Sequence, residues 1–273
     1  MLFAGFLGNA LLAGSGIAVA CGLIGWFVVL RRQVFAGDAL SHVAFTGALA
    51  AAAAGLDLRL GLFLATVLVA LLLATVGSSR GLGSSAADSR ADDVTIGVVF
   101  VWVLGLGVFF LDLFNAGGAG ADGTIAARTL FGSIFGLSVG QAQLAALLAV
   151  GAVLALAAIG RPLLFASIDA PLAAAGGVPV RGLGFAFLIL LGVVTAEATQ
   201  AVGALLLLGL LAAPAGAAHR LTASPYRGMA LAVAIALGSM WVGIALGYWI
   251  PALPPGSAVV LVAAACYALT IVI

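Results

Sequence analysis

The chain has 273 residues, 65% of them hydrophobic and 7% charged, with a net charge of +1 and a mean hydropathy of +1.34. No water-soluble fold hides this much apolar surface, so the chain is an integral membrane protein, and the lack of period-two alternation selects helices over a β-barrel. All ten basic residues are arginine, which excludes a phosphate-binding loop of the GxxxxGK[ST] type, and the lack of a basic stripe excludes nucleic acid as a partner.

The first thirty residues carry no basic n-region and read as a first span, 6–30, rather than a cleaved signal peptide. That span ends at Arg31-Arg32. A second span is expected over 38–54, a turn at 55–59 and a third span over 61–76. Residues 77–93, with Arg80, Arg90, Asp92 and Asp93, read as a solvent loop. A fourth span over 94–114 leads into a glycine-rich loop, 115–128, that holds Asp122. Gly132, Gly136 and Gly140 then recur at GxxxG spacing, which suits close helix approach or a short re-entrant piece. The fifth span is 144–159, followed by a polar-edged connector, 160–181.

The apolar stretch 183–218 is too long for one span of ~20 residues. The polar cluster Thr195-Ala196-Glu197-Ala198-Thr199-Gln200 reads as the turn of a hairpin, with Pro214 kinking its second arm. A polar loop at 219–227, a span over 229–250, a turn at 251–256 and a last span over 257–273 complete the chain. The expectation is one all-α domain, 1–273, a polytopic membrane bundle of about nine helices, with eight to ten as the range. Cys21 and Cys266 lie in apolar runs, as buried inert thiols do.

Arginine placement sets the orientation. With the N-terminus outside, Arg31, Arg32, Arg80, Arg90, Arg161, Arg181, Arg220 and Arg227 fall inside, and Arg59 and Arg128 outside. This bias supports the hairpin and an inner-membrane, multi-pass placement.

The stretch GDALSHVAFTG, 37–47, puts a carboxylate and an imidazole inside an almost uncharged chain. On a helix Asp38 and His42 share one face, one turn apart. Counted from Arg32 at ~1.5 Å per residue, they lie ~9 and ~15 Å deep in a hydrocarbon core of ~30 Å. An ionisable group there costs ~2.5 kcal/mol or more and marks a functional site. The structural alternative is a dipole-favoured Asp38 near a helix N-terminus and a neutral His42 bonded to a backbone carbonyl.

Further stretches follow in order: DDVTIGVVF at 92–100, LFGSIFGLS at 130–138, FASIDAPLAAAGGVPV at 165–180, VGALLLLGLLAAPAGAAHRLT at 202–222 and LPPGSAVVLVAA at 253–264. None is specific alone. Together with 37–47 they make the chain resemble the permease subunits of the zinc/manganese/iron ABC importer family, whose permeases work as dimers in type II importers. One departure is the missing proline after Ser41-His42, where the chain reads Val43-Ala44-Phe45-Thr46; another is that 77–93 contains no histidine.

The resemblance implies a transport subunit, not an enzyme, with no permanently bound cofactor and a divalent transition metal, zinc or manganese or iron, as cargo. It also implies an extracytoplasmic metal-binding protein, a second permease copy and a cytoplasmic pair of ATP-binding subunits. Two copies would bring two Asp38 and two His42 together, an N/O ligand set that suits a transition metal.

Glu197, the only glutamate, sits at the outer end of the expected hairpin, where it would guide the cation in, pair with an arginine of the binding protein, or simply be solvated. Asp112 and Asp122 would add to an outer electrostatic funnel, or be ordinary loop carboxylates. His219 reads as an exit ligand or a partner of a helix C-terminus. Of the two inner connectors, the one carrying Arg220, Ser224, Pro225, Tyr226 and Arg227 is the expected ATPase-coupling knob. The alternative function is an ion-coupled secondary transporter, but the halves show no inverted repeat and only one midplane carboxylate. A membrane enzyme is disfavoured by two histidines and no HExxH-type motif.

Overall fold

In hydrocarbon every backbone N–H and C=O must be satisfied within the protein, and this chain meets that demand with helices. The computed structural model describes residues 2–79, 86–116, 124–250 and 252–272. Its helices are α1 (Leu2–Leu30), α2 (Val34–Ala53), α3 (Leu58–Ser79), α4 (Ala86–Ala116) and α5 (Thr124–Phe131). After a 3-10 turn, Ile134–Gly136, come α6 (Val139–Ile168), α7 (Ala170–Ala175), α8 (Val180–Val202), α9 (Leu207–Leu221), α10 (Pro225–Trp249) and α11 (Pro255–Val272). No strand occurs among the described residues.

Eight of these are long and apolar enough to cross a membrane: α1, α2, α3, α4, α6, α8, α10 and α11. Helix α9, with 15 residues, is shorter, about 22 Å at ~1.5 Å per residue. It runs parallel to α11, with Gly209 against Val260 and Gly216 against Tyr267. It therefore carries the chain back toward the opposite end, a shorter ninth crossing.

Three boundaries differ from the sequence reading. The cluster 195–200 is no turn: α8 continues through it to Val202, and the reversal falls at Gly203, whose φ of 98° suits glycine. The helix carries two of these groups without a turn: Thr199 Oγ1 donates to the Thr195 carbonyl of the same helix, and Glu197 accepts from Arg59 of α3, while Thr195 Oγ1 and Gln200 Nε2 are buried without a hydrogen bond among the described residues. The connector expected from 160 is helical to Ile168, with Pro162 inside α6. Helix α4 begins at Ala86, inside the stretch expected to be loop.

Between lipid-embedded helices close packing, rather than water exclusion, supplies the attraction, and small residues permit it. The core is accordingly rich in alanine, from Ala10 and Ala13 through Ala232 and Ala236, interleaved with Phe27, Leu40, Phe187 and Leu191. A very close crossing joins α2 to α3, where a side chain on Gly47 would overlap the Gly61 carbonyl, and one on Gly61 the Gly47 carbonyl. Ala44, Ala48 and Leu62 form a small separate core at this crossing. Helix α2 packs against both α3 and α4, while α1 packs with α6, α9 and α10, and α11 with α9 and α10. Helix α8 lies in the seam, against α3 and α2 on one side and α6 and α1 on the other.

One end of the bundle gathers the α1–α2 and α9–α10 reversals, which carry Arg31, Arg32, Arg220 and Arg227. Arg32 closes α1 in a left-handed conformation, φ 57°. Arg31 turns inward, donating from Nη1 to Ser167 Oγ at 3.1 Å and lying 5.4 Å from the Phe187 ring centroid, so that α1, α6 and α8 are tied together. Its burial lowers the guanidinium pKa from the ordinary value. At the same end Arg220 Nε donates to the Thr270 carbonyl at 3.1 Å, joining α9 to α11.

Candidate metal pathway

Helix α2 is buried on nearly every side: Ala36, Gly37, Ala39, Leu40, Ser41, Val43 and Ala44 are all covered. What it leaves partly open is one stripe, Phe35, Asp38, His42 and Phe45, at the i, i+3, i+7, i+10 positions that align along a helix. The two polar groups singled out in the sequence therefore face away from their own core. Phe100 of α4 packs edge-on against both His42, at 5.1 Å, and Phe35, at 5.8 Å, which fixes the stripe beside α4. The Asp38 carboxylate acts electrostatically on the imidazole and has no side-chain hydrogen bond or ion pair among the described residues.

The structure shows a tie at this site that sequence reading missed. Ser41, fully buried between the two, has its hydroxyl 2.7 Å from the Asp38 carbonyl and 3.0 Å from that of Ala204. One proton serves both acceptors, so α2 is pinned to the turn between α8 and α9. That turn is itself locked: Ala204 and Leu205 donate to the carbonyls of Thr129 and Leu130, and Ser133 donates to that of Gln200. Gly132, φ 75°, and Gly203 interlock so closely that a side chain on either would overlap the other's backbone neighbourhood. The expected close approach at Gly132 is thus met, by backbone pairing rather than helix crossing.

Asp38 and His42 are two groups of metal-ligating chemistry, and among the described residues no group of three or more His, Cys, Asp or Glu is gathered in one place. The remaining candidates lie apart. Glu197 is 4% exposed, and its carboxylate takes Arg59 Nη2 at 3.0 and 3.4 Å. It is a helical residue of α8 in a buried ion pair, not a solvated loop carboxylate. Asp112 is exposed near the end of α4, and Asp122 lies outside the described residues. His219 stacks on the Trp26 indole, 4.8 Å between centroids at 13°, with Nε2 3.0 Å from the Trp26 carbonyl, an arrangement that pins α9 to α1.

At the arginine-rich end the α9–α10 connection is a tight turn, 222–224. Arg220 lies in the last turn of α9, Ser224 precedes α10, Pro225 opens it, and Tyr226 and Arg227 stand exposed on its first turn. The other connector contains α7, capped where Asp169 accepts from Leu172 N at 2.9 Å, with Ile168 and Leu172 exposed.

The comparisons with known proteins follow this layout over almost its whole length. The family model described as the ABC 3 transport family matches residues 4–273. The manganese transport system membrane protein MntC of Halalkalibacterium halodurans is 30% identical over 97% of this chain and 86% of its own. The manganese import system permease protein ScaB of Streptococcus parasanguinis is 28% identical over 95% and 87%. Among solved structures, a chain of PsaBC from Streptococcus pneumoniae, in complex with Fab, superposes with a TM-score of 0.80 at 26% identity, over 97% of this chain and 90% of that one. The protein is a multi-pass, all-helical member of the ABC 3 transport family.

Proposed function

We propose that the chain is the permease subunit of an ATP-driven importer for a divalent transition metal, manganese or zinc, with iron in the same class. The observation that carries this reading is the Asp38–His42 stripe, the open face of an otherwise buried helix. Two ligands are too few for a transition-metal site, and a second copy across a two-fold axis supplies the other two. The imidazole favours a transition metal over Mg²⁺ or Ca²⁺, and carboxylate plus imidazole gives a hold weak enough for release. The manganese-transport names of the relatives support manganese as the first ion to test.

The division of labour is what the family resemblance implies. With no lysine the chain has no phosphate-binding loop of the GxxxxGK[ST] type, and a pair of separate ATP-binding subunits on the cytoplasmic side of the inner membrane hydrolyses the ATP. They grip the arginine-rich end. Tyr226 and Arg227, with Arg220, Ser224 and Pro225 shaping the turn, form the coupling element, flanked by the exposed Ile168 and Leu172 of the α7 connector. An extracytoplasmic metal-binding protein delivers the ion at the opposite end, where Asp112 adds negative potential. Glu197, held by Arg59, contributes little free charge to that funnel.

The test is uptake of radiolabelled manganese and zinc by a metal-starved strain carrying Asp38→Ala or His42→Ala. Both variants should accumulate in the membrane at the normal level and take up neither ion. Wild-type uptake by either would refute the assigned pathway.

A further inference from the structure

The Arg59–Glu197 pair is the one ion pair among the described residues, and it lies within membrane-spanning helices, its side chains 19% and 5% exposed. Such a pair is a poor source of net stability, because desolvating both charges offsets their attraction, and apolar residues of similar size often do as well. Its position is more informative. Arg59 starts α3, in the group of helices that contains the Asp38–His42 stripe, and Glu197 lies on α8, the seam helix between that group and the rest.

The seam is not uniform along its length. In the half nearer Ser79, α3 buries Ala70, Leu73 and Ala74 in the main core, with Ala70 against Gly192 of α8. In the half nearer Arg59 the buried Leu62 belongs instead to the separate α2–α3 core, while Leu60 and Leu64 lie on the exposed stripe that continues through Leu68 and Leu72. Thr66, spent on its own helix through the Leu62 carbonyl, is the last close neighbour of Gly192. Beyond it the Arg59–Glu197 pair joins α3 to α8, as the Ser41–Ala204 bond joins α2 to the turn that follows α8.

We infer that the Arg59–Glu197 pair is a positioning latch: it holds the outer half of the α2–α3 hairpin on α8 and so sets where Asp38 and His42 stand. The link to the site is short, because the Gly47–Gly61 crossing makes α2 and α3 move together. Both partners are needed. Glu197 also borders an apolar crevice lined by Ile17, Ala20, Leu148 and Val193, which offers no second cation to its carboxylate. Arg59 keeps its buried Nε without a hydrogen bond, the mark of a guanidinium held by one carboxylate. This inference rests on the metal reading for its functional consequence, but not for the latch itself.

The experiment uses the full chain in nanodiscs, with Cys21 and Cys266 replaced and spin labels at the exposed positions 56 and 139, one in the α2–α3 turn and one at the start of α6. Glu197→Gln and Arg59→Gln should each broaden the interlabel distance distribution. Each should also weaken binding of Mn²⁺, followed by its own paramagnetic signal, by roughly tenfold, as loss of a support behind metal ligands does. The swap Arg59→Glu with Glu197→Arg should narrow the distribution again and recover affinity. If the single variants fail to reach the membrane, Arg59→Lys, which keeps the charge and loses the fork, carries the same measurement. A distribution unchanged in the single variants, or not recovered by the swap, overturns the latch. Absence of Mn²⁺ binding in the wild-type chain would instead count against the metal reading, with the distances still deciding the latch.

Discussion

Replacing Gly203 by alanine should be among the most damaging single-methyl additions in the molecule. Its φ of 98° lies where side chains with a Cβ rarely go, a strain of roughly 1–3 kcal/mol. The added methyl would also overlap the Leu130 carbonyl oxygen and the Phe131 carbonyl carbon, with Gly132 N at 2.5 Å. These are backbone atoms that no rotamer change can withdraw, and overpacking of that kind costs a further ~1–3 kcal/mol. The sum is about 2–6 kcal/mol, a large part of a typical stability of ~5–15 kcal/mol. The matched control is Gly105→Ala on α4, where a Cβ meets nothing within 4 Å and replacing an interior helical glycine should gain ~0.5–1 kcal/mol. Thermal melting of the detergent-solubilised protein, followed by tryptophan fluorescence, should rank Gly105→Ala at or above wild type and Gly203→Ala far below. Equal melting of the two would refute the claim that this interlocked turn, and not apolar length alone, fixes where α8 ends and α9 begins.

Two further expectations test the surfaces. Arg227→Glu, at an exposed position in the first turn of α10, should reduce co-purification with the ATP-binding subunit while leaving the amount of permease in the membrane unchanged; co-purification at the wild-type ratio would count against the coupling role. Ser138→Ala removes the capping box at the start of α6, in which Ser138 accepts from Gln141 N and Ser138 N donates to Gln141 Oε1, and should cost ~1 kcal/mol of stability. Ser138→Asp should keep most of it in the same melting assay.

The candidate site is legible where chemistry departs from composition. An aspartate and a histidine in an almost uncharged chain stand out, and helical periodicity alone puts them on one face. Glu197 stood out for the same reason and was misread, because its partner Arg59 is 138 positions away and only the packing of α3 on α8 brings the two together. The polar cluster at 195–200 reads as a turn since polar residues in lipid usually mark one; instead α8 runs through it, with Glu197 paired to Arg59 and Thr199 bonded within its own helix. Gly203 carried the signal for the true turn, but a glycine gains meaning only where the backbone takes a positive φ, and a chain with 38 glycines hides it.

Composition and apolar period by themselves determined that this chain crosses a membrane as helices, roughly where most of the spans fall, and that any ATP chemistry requiring a GxxxxGK[ST] loop belongs to another chain. They suffice because hydrocarbon leaves the backbone almost no other choice. Tertiary structure decided which face of α2 stays open, that Ser41 ties it to the Ala204 turn, and that Glu197 answers to Arg59. Those outcomes depend on the relative placement of separate helices, set by close contacts between small residues far apart in the chain.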